Sequence, residues 1–232
     1  MINLSSRKHK ILVVAAHPDD EILGCGGTIA RLSKEGHEVH ILILGEGATS
    51  RDQSRNIAKR SAALKKLRLS AEKAAKVLGA CRVHFHDFPD NRFDSVALLD
   101  IVKAVEQVKE KIRPSIILTH FAHDLNIDHQ KTFKAVLTAT RPMKNETVRA
   151  VYSFEILSST EWQYAHPFPA DTFMDISDFF ARKLRALKEY AQEMRGPDHP
   201  RSSRGVTLNA ELWGLKTGTQ YAEALQLVRQ II

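Results

Sequence analysis

His17-Pro18-Asp19-Asp20-Glu21 puts one imidazole and three carboxylates on consecutive residues. That set suits a divalent cation. His17 and Asp20 are three apart, so both can point to one side of a tight strand-to-helix turn, leaving Asp19 as a second, non-ligating carboxylate. Zinc accepts imidazole and carboxylate together, and a catalytic site needs three protein ligands plus an open position for water. The plainer alternative is that Asp19 and Asp20 cap a helix N-terminus, where anions are favoured; His17 directly before them weighs against it. A second cluster, His120-Phe121-Ala122-His123-Asp124-Leu125-Asn126-Ile127-Asp128-His129, carries three histidines and two aspartates. It completes a metal site if both clusters reach one edge of the fold. A dinucleotide cofactor is excluded at this turn. The carboxylates would repel a pyrophosphate, and Gly24, Gly26 and Gly27 come later, where they allow close helix packing instead.

Such a site needs a scaffold that delivers two loops to the same place. Residues 10–16 (KILVVAA) are a short β-branched run of the kind found in buried strands. Residues 21–36 read as a helix stopped by Gly36, 38–44 as a second strand, and 53–79 as one long helix or two, ended by Gly79. Strands follow at 82–86, 115–119 and 149–155, with helices over 96–112, stopped by Pro114, and 130–139. This alternation predicts an α/β fold: a mostly parallel sheet sandwiched by helices in a Rossmann-like three-layer arrangement. Ligand sites in such sheets lie beyond the carboxyl ends of the strands, where both clusters fall. The C-terminal third is irregular. After 172–176 we expect a helix near 178–194, a loop over 196–205 and a closing helix near 220–231. No linker or repeat interrupts residues 1–232, so a single domain is expected.

The chain has 232 residues, 43% hydrophobic and 26% charged, as in an ordinary globular protein. No apolar run approaches the roughly 18 residues of a membrane span. The basic, then apolar start imitates a signal peptide, but its apolar run is short and ends in HPDDE, so it reads as the first strand. Two cysteines, Cys25 and Cys81, exclude a disulfide framework and fit a reducing cytoplasm, the expected location. Net charge is +7, and residues 51–79, with nine Lys/Arg against Asp52 and Glu72, carry an equal excess. There is no zinc-finger spacing, ribonucleoprotein aromatic motif or basic tail, so nucleic acid is not an expected partner. The segment is either a solvated helix face or a collar for an anionic ligand.

HPDDEILGCGGTIA at 17–30 resembles the N-terminal signature of the zinc-dependent de-N-acetylases, the family of the glycosylphosphatidylinositol-pathway deacetylase and the mycothiol and bacillithiol deacetylases. The similarity continues through NIDH at 126–129 and DIS at 175–177. It implies that His17, Asp20 and His129 bind zinc, or another divalent metal, and that Asp19 is the general base. Family members commonly have histidine at the position of Asn126. Asparagine can donate to an oxyanion but cannot act as a general acid near neutral pH. The leaving amine then takes its proton from Asp19, His123 or His120. Asp128 is expected to orient a histidine.

The resemblance implies hydrolysis of an acetamide on a small-molecule amino sugar, with release of acetate. The DLNIDH variant looks like members associated with bacterial polysaccharide or glycoconjugate pathways, and a nucleotide-linked or phosphorylated sugar would suit the basic segment. Expected substrate contacts are Arg51, near a substrate-binding arginine of the family; Asp90, Asn91 and Arg92, whose polar groups suit sugar hydroxyls; and Glu155. Trp162, Tyr164 and Phe168 are candidates for stacking on a sugar, although loop aromatics more often pack. His199 and Arg201, in HPRS, resemble a segment of the subfamily without a legible role. Competing readings are a deacetylase of a thiol-cofactor or aminoglycoside-type glycoside, and a non-catalytic carbohydrate- or metal-binding module. Asp19, superfluous as a ligand, argues against the module. A homo-oligomer is left open.

Overall fold

The computed structural model describes residues 8–232. Elements follow in the order β1 (Lys10–Ala15), α1 (Asp20–Lys34), β2 (Glu38–Gly45), α2 (Ile57–Leu78), β3 (Arg82–Phe88), α3 (Leu98–Ile112), β4 (Ile116–His120), α4 (Ile127–Ala139), β5 (Ala150–Phe154), β6 (Thr172–Asp175), α5 (Phe180–Lys188), α6 (Ser203–Thr217) and β7 (Ala222–Gln230). The strands form one sheet in the order β3-β2-β1-β4-β5-β7-β6. The first five pair in parallel, whereas β7 runs antiparallel to both β5 and β6.

The three-layer expectation holds. Both faces of the sheet are covered, so β1 is apolar and buried at every position from Ile11 to Ala15 instead of alternating. Its Ile11 and Val13 join a core with residues of α1, α2, α5 and α6, while Leu12 and Val14 join the core under α3 and α4. Strand order reverses between β1 and β4. The loops leaving their carboxyl ends diverge to opposite faces there, which opens the crevice where α/β sheets bind ligands.

Three departures lie in the last third. Residues 220–231 were expected to close the chain as a helix; 222–230 form β7, threaded between β5 and β6. The expected loop over 196–205 ends early because Ser202 caps α6, accepting from the Gly205 N–H at 2.9 Å. The helix expected over 178–194 is shorter, ending at Lys188. α4 also starts earlier than expected, capped by Asn126, so Asp128 and His129 sit in its first turn.

α1 is broken at Cys25 (φ −146°, ψ 28°). A regular helix would bond the Gly27 N–H to the Leu23 carbonyl. Here a buried ion pair separates them. Glu223 of β7 accepts from Gly27 N (2.8 Å), Thr28 N (2.7 Å) and Thr28 Oγ1 (2.7 Å). Lys183 of α5 donates to Leu23 O (2.9 Å) and to Glu223 (2.6 Å). Glycine is required on either side of the break, since a Cβ at Gly24 would run into Phe154 of β5 and one at Gly27 would lie 2.7 Å from Ile176 Cδ1. Glu223→Ala should cost about 3–5 kcal/mol, because it leaves a buried ammonium unpaired and two helical N–H groups without acceptors. Urea unfolding measures it; a loss below about 1 kcal/mol would mean the pair is expendable.

Among the described residues no helix is long and apolar enough to cross a membrane. The basic segment lies mainly on α2, where Lys65, Lys66, Arg68, Lys73 and Lys76 are exposed. Arg60 and Lys59 pair with Asp52, Arg55 with Glu46 and Arg68 with Asp87. The excess charge is therefore mostly a solvated face.

Candidate active site

The β1 exit and the β4 exit are tied together before either loop begins. Ala16 N–H donates to His120 Nε2 at 2.8 Å. His120 is fully buried, stacks on His129 at 3.9 Å between ring centroids, and is held well below the usual imidazole range by burial and by His129. With Nε2 accepting a backbone N–H, it serves as a neutral strut.

Beyond that tie, His17, Asp20 and His129 converge, with one potential ligand atom from each lying within 4.8 Å of the others. Asp20 Oδ2 accepts from His17 N at 2.8 Å and stands 3.3 Å from His17 Nδ1 and 3.3 Å from His129 Nε2. The outer ring nitrogens face carboxylates: His17 Nε2 is 2.9 Å from Asp128 Oδ2, and His129 Nδ1 is 2.9 Å from Asp124 Oδ1. This carboxylate–histidine arrangement fixes a tautomer that turns the inner nitrogens toward one point. Asp124 is itself held by Ser159 and Thr160, and Asp128 by the Phe93 N–H at 2.9 Å.

The cluster demands positive charge. Burial opposes imidazolium at His129, yet Asp20 and Asp124 outweigh it and lift the group to about 9; His17 is likewise raised by Asp128 and Asp20 against burial. Burial also opposes ionisation of Asp20, which His129, His17 and His120 nevertheless hold well below the carboxylate range. Asp20 Oδ1 is buried without a hydrogen-bond partner. Imidazoles and a carboxylate with a spare buried oxygen fit a divalent ion, whose binding would release the protons that the histidines otherwise carry.

Asp19 is 3% exposed and adopts φ 101°, a left-handed conformation that costs a non-glycine residue strain. Its carbonyl accepts from Ile22 N (3.0 Å) and Leu23 N (2.9 Å), so the strained turn launches α1. Its carboxylate meets Arg201 Nη1 at 3.3 Å. Burial lifts this carboxyl to about 7; Arg201 opposes the rise, and the charges of Asp20 and Glu193 add to it.

These groups line a cleft of about 250 Å³ that also receives Ser50, Arg51, Asp90, Asn91, Asn126, Ser158, Ser159, Glu193, Arg195 and Arg201. Asn126 Oδ1 caps Asp128 N at 2.8 Å, which turns its Nδ2 toward Asn91 Oδ1, also at 2.8 Å. Asp90 is buried and accepts from Ser50 N and Oγ at 3.0 and 2.6 Å. Arg51 is clasped by both Glu193 oxygens at 2.7 and 2.5 Å.

Three of the expected site residues are not brought here. His123 is exposed and stacks on His166 at 4.6 Å, away from the cleft, because α4 begins between it and His129 and turns the chain inward. Arg92 is exposed and reaches toward the Gln53 carbonyl. Glu155 faces α6, accepting from Trp213 Nε1 (2.6 Å) and Asn209 Nδ2 (2.8 Å), so it anchors that helix. Trp162, Tyr164 and Phe168 are also absent from the cleft lining; Trp162 packs edge-on against His199 and Phe168 against Phe121. Conversely, Glu193, Arg195 and the two serines at 158 and 159 enter the cleft without any motif that announced them.

Comparison with known proteins shows the family. Diacetylchitobiose deacetylase of Thermococcus kodakarensis is 26% identical over 227 residues, covering 94% of this chain and 83% of that protein. The 4-oxalmesaconate hydratase of Pseudomonas putida is 28% identical over 210 residues, covering 85% and 77%. N,N'-diacetylchitobiose deacetylase of Pyrococcus horikoshii has the same fold, with a TM-score of 0.78 over 98% of this chain and 86% of that one at 18% identity. Residues 12–140, more than half of the chain, match the PIG-L family model, described as GlcNAc-PI de-N-acetylase. The chain belongs to that family.

Proposed function

We propose that the protein is a metal-dependent hydrolase that removes the N-acetyl group from an amino sugar. One observation carries this reading: a buried carboxylate, Asp19, is held beside the His17–Asp20–His129 cluster without being needed as a ligand. A binding module has no use for it. A divalent cation held by those three residues would polarise the acetamide carbonyl and lower the pKa of water. Asp19 accepts the proton of the attacking water, a role suited to a carboxyl near neutrality. Asn126 Nδ2, already turned by its cap, donates to the developing oxyanion. Asp19 then returns the proton to the leaving amine, since His120 is committed to a backbone N–H and His123 lies outside the cleft. Asp128 and Asp124 hold His17 and His129 in register.

On this reading residues 1–232 act as one domain, because the site joins β1 to residues 193–201, and a reducing cytoplasm suits the free Cys25 and Cys81. The cleft has room for one amino sugar, with any further group lying over the rim. There Arg51 is paired with Glu193 and Arg201 with Asp19, whereas Arg195 is exposed with no side-chain partner among the described residues. This supports a substrate with an anionic group, such as a sugar phosphate. The test is an acetate-release screen over N-acetyl sugars, free, phosphorylated and nucleotide-linked, with thiol-cofactor and aminoglycoside-type glycosides alongside. Arg195→Ala should raise KM for a phosphorylated substrate about tenfold, the scale of a charge-assisted hydrogen bond, and leave a neutral one unaffected. The Pseudomonas relative makes hydratase activity the second reading. Water addition without acetate release would establish it.

A further inference from the structure

The strained turn at Asp19 has to be held from both sides. On the carbonyl side, the first N–H groups of α1 hold it. On the amide side, the Asp19 N–H donates to Glu21 Oε2 at 3.0 Å. Glu21 is 1% exposed, so an idle oxygen on its carboxylate would be costly. Its second oxygen, Oε1, accepts from Tyr190 Oη at 2.7 Å. Tyr190 is fully buried, one of the largest such side chains in the molecule, and comes from just beyond α5.

We infer that Tyr190 and Glu21 are positioning residues that set the direction of the Asp19 carboxylate. The inference rests on Asp19 being the proton acceptor. The reasoning is geometric. Rotation about the Asp19 N–Cα bond away from φ 101° carries Cβ, and the carboxylate with it, off its line beside Arg201 and the metal cluster. A β-carbon at this φ clashes with its own backbone, so the chain relaxes unless the amide is anchored. Glu21 is that anchor, and Tyr190 keeps the Glu21 carboxylate from turning away. Neither residue lines the cleft itself, so neither has a part in binding substrate. The C-terminal third thus reaches the base along two routes, Arg201 at the carboxylate and Tyr190 through the backbone.

Tyr190→Phe removes one oxygen and keeps the ring that fills the core. Its kcat for acetate release should fall between about tenfold and a hundredfold, the scale of a misplaced catalytic group, with KM and bound metal unchanged. In a crystal structure of the variant, Asp19 should leave the left-handed region and lose its Arg201 contact. Val105→Ala, in the opposite core under α3, serves as the stability control: it should lower Tm without lowering kcat. Glu21→Gln, which keeps an acceptor for the Asp19 amide, should recover at least about tenfold in kcat over Glu21→Ala. That pair answers the question even where Tyr190→Phe folds poorly. A wild-type kcat in Tyr190→Phe, or Asp19 unmoved in its structure, overturns the inference, as does equal loss in both Glu21 variants. Full activity in Asp19→Asn would overturn the base assignment instead, and the crystallographic result would stand apart from it.

Discussion

Asp19→Asn should lower kcat for acetate release by about 10²- to 10⁴-fold, the range that a positioned general base supplies, and leave the metal in place. The amide has the size of the carboxylate but cannot take a proton from water. The three candidate ligands, His17, Asp20 and His129, are untouched. KM should therefore hold while kcat collapses, the pattern of an interaction made only in the transition state. Stability should not suffer either. Burial works against a charged Asp19, lifting it to about 7, so a neutral amide there removes a desolvation cost. Metal analysis, steady-state kinetics and thermal melting of one preparation check all three statements. A variant with near-native kcat would leave the site without its base.

Removing the metal should be as severe. Extended chelation, or His129→Ala, is expected to reduce acetate release to background. Returning zinc should restore the chelated protein and not the variant. His129 is the candidate ligand to choose because it links the two chain clusters: its ring faces Asp20 of the first and Asp124 of the second. The same experiment has a readout without substrate. Metal that binds only the folded protein stabilises it by roughly 4 kcal/mol at a thousandfold excess over its Kd, so Tm of the stripped protein should climb as zinc is added. A Tm indifferent to zinc, manganese and cobalt would show that the cluster is only a hydrogen-bonded core.

The sequence was most legible where chemistry and periodicity coincide. KILVVAA is a short β-branched run with the signature of a buried strand, and HPDDE follows it directly, so the location of His17 and Asp20 at a sheet edge came with the residue types. The second cluster was legible as a site and less so in detail. His123 lies in the same ten residues as His129, but Asn126 starts a helix between them, and proximity in the chain became separation in space. Glu155 misled for a similar reason: a carboxylate just past a strand end faces the ligand or a neighbouring helix, and only α6 decides which.

Residues 222–230 (AEALQLVRQ) are rich in strong helix formers, and intrinsic preference favoured the helix that was expected there. Pairing with β5 on one edge and β6 on the other overrides that preference, because ladder bonds on both edges outweigh a few tenths of a kcal/mol per residue. The partners of Asp19 were out of reach of local reasoning altogether. Tyr190 and Arg201 meet Glu21 and Asp19 across 169 and 182 residues. Their signal in the sequence is only a tyrosine near a helix end and an arginine in a proline-rich loop.

The placement of β7 has a consequence for the order of assembly. This strand joins β5 to β6, so β6 has no neighbour in the sheet until β7 arrives. The same strand carries Glu223, which supplies acceptors to the broken middle of α1 across about 195 residues. A ribosome that has released the parallel half has therefore released a sheet whose first helix still has exposed donors at its break. Contacts of such long loop length form late and limit folding rate. The first helix of the candidate site and a strand about 195 residues further along complete one another, so the middle of α1 gains its acceptors only after β7 has been made.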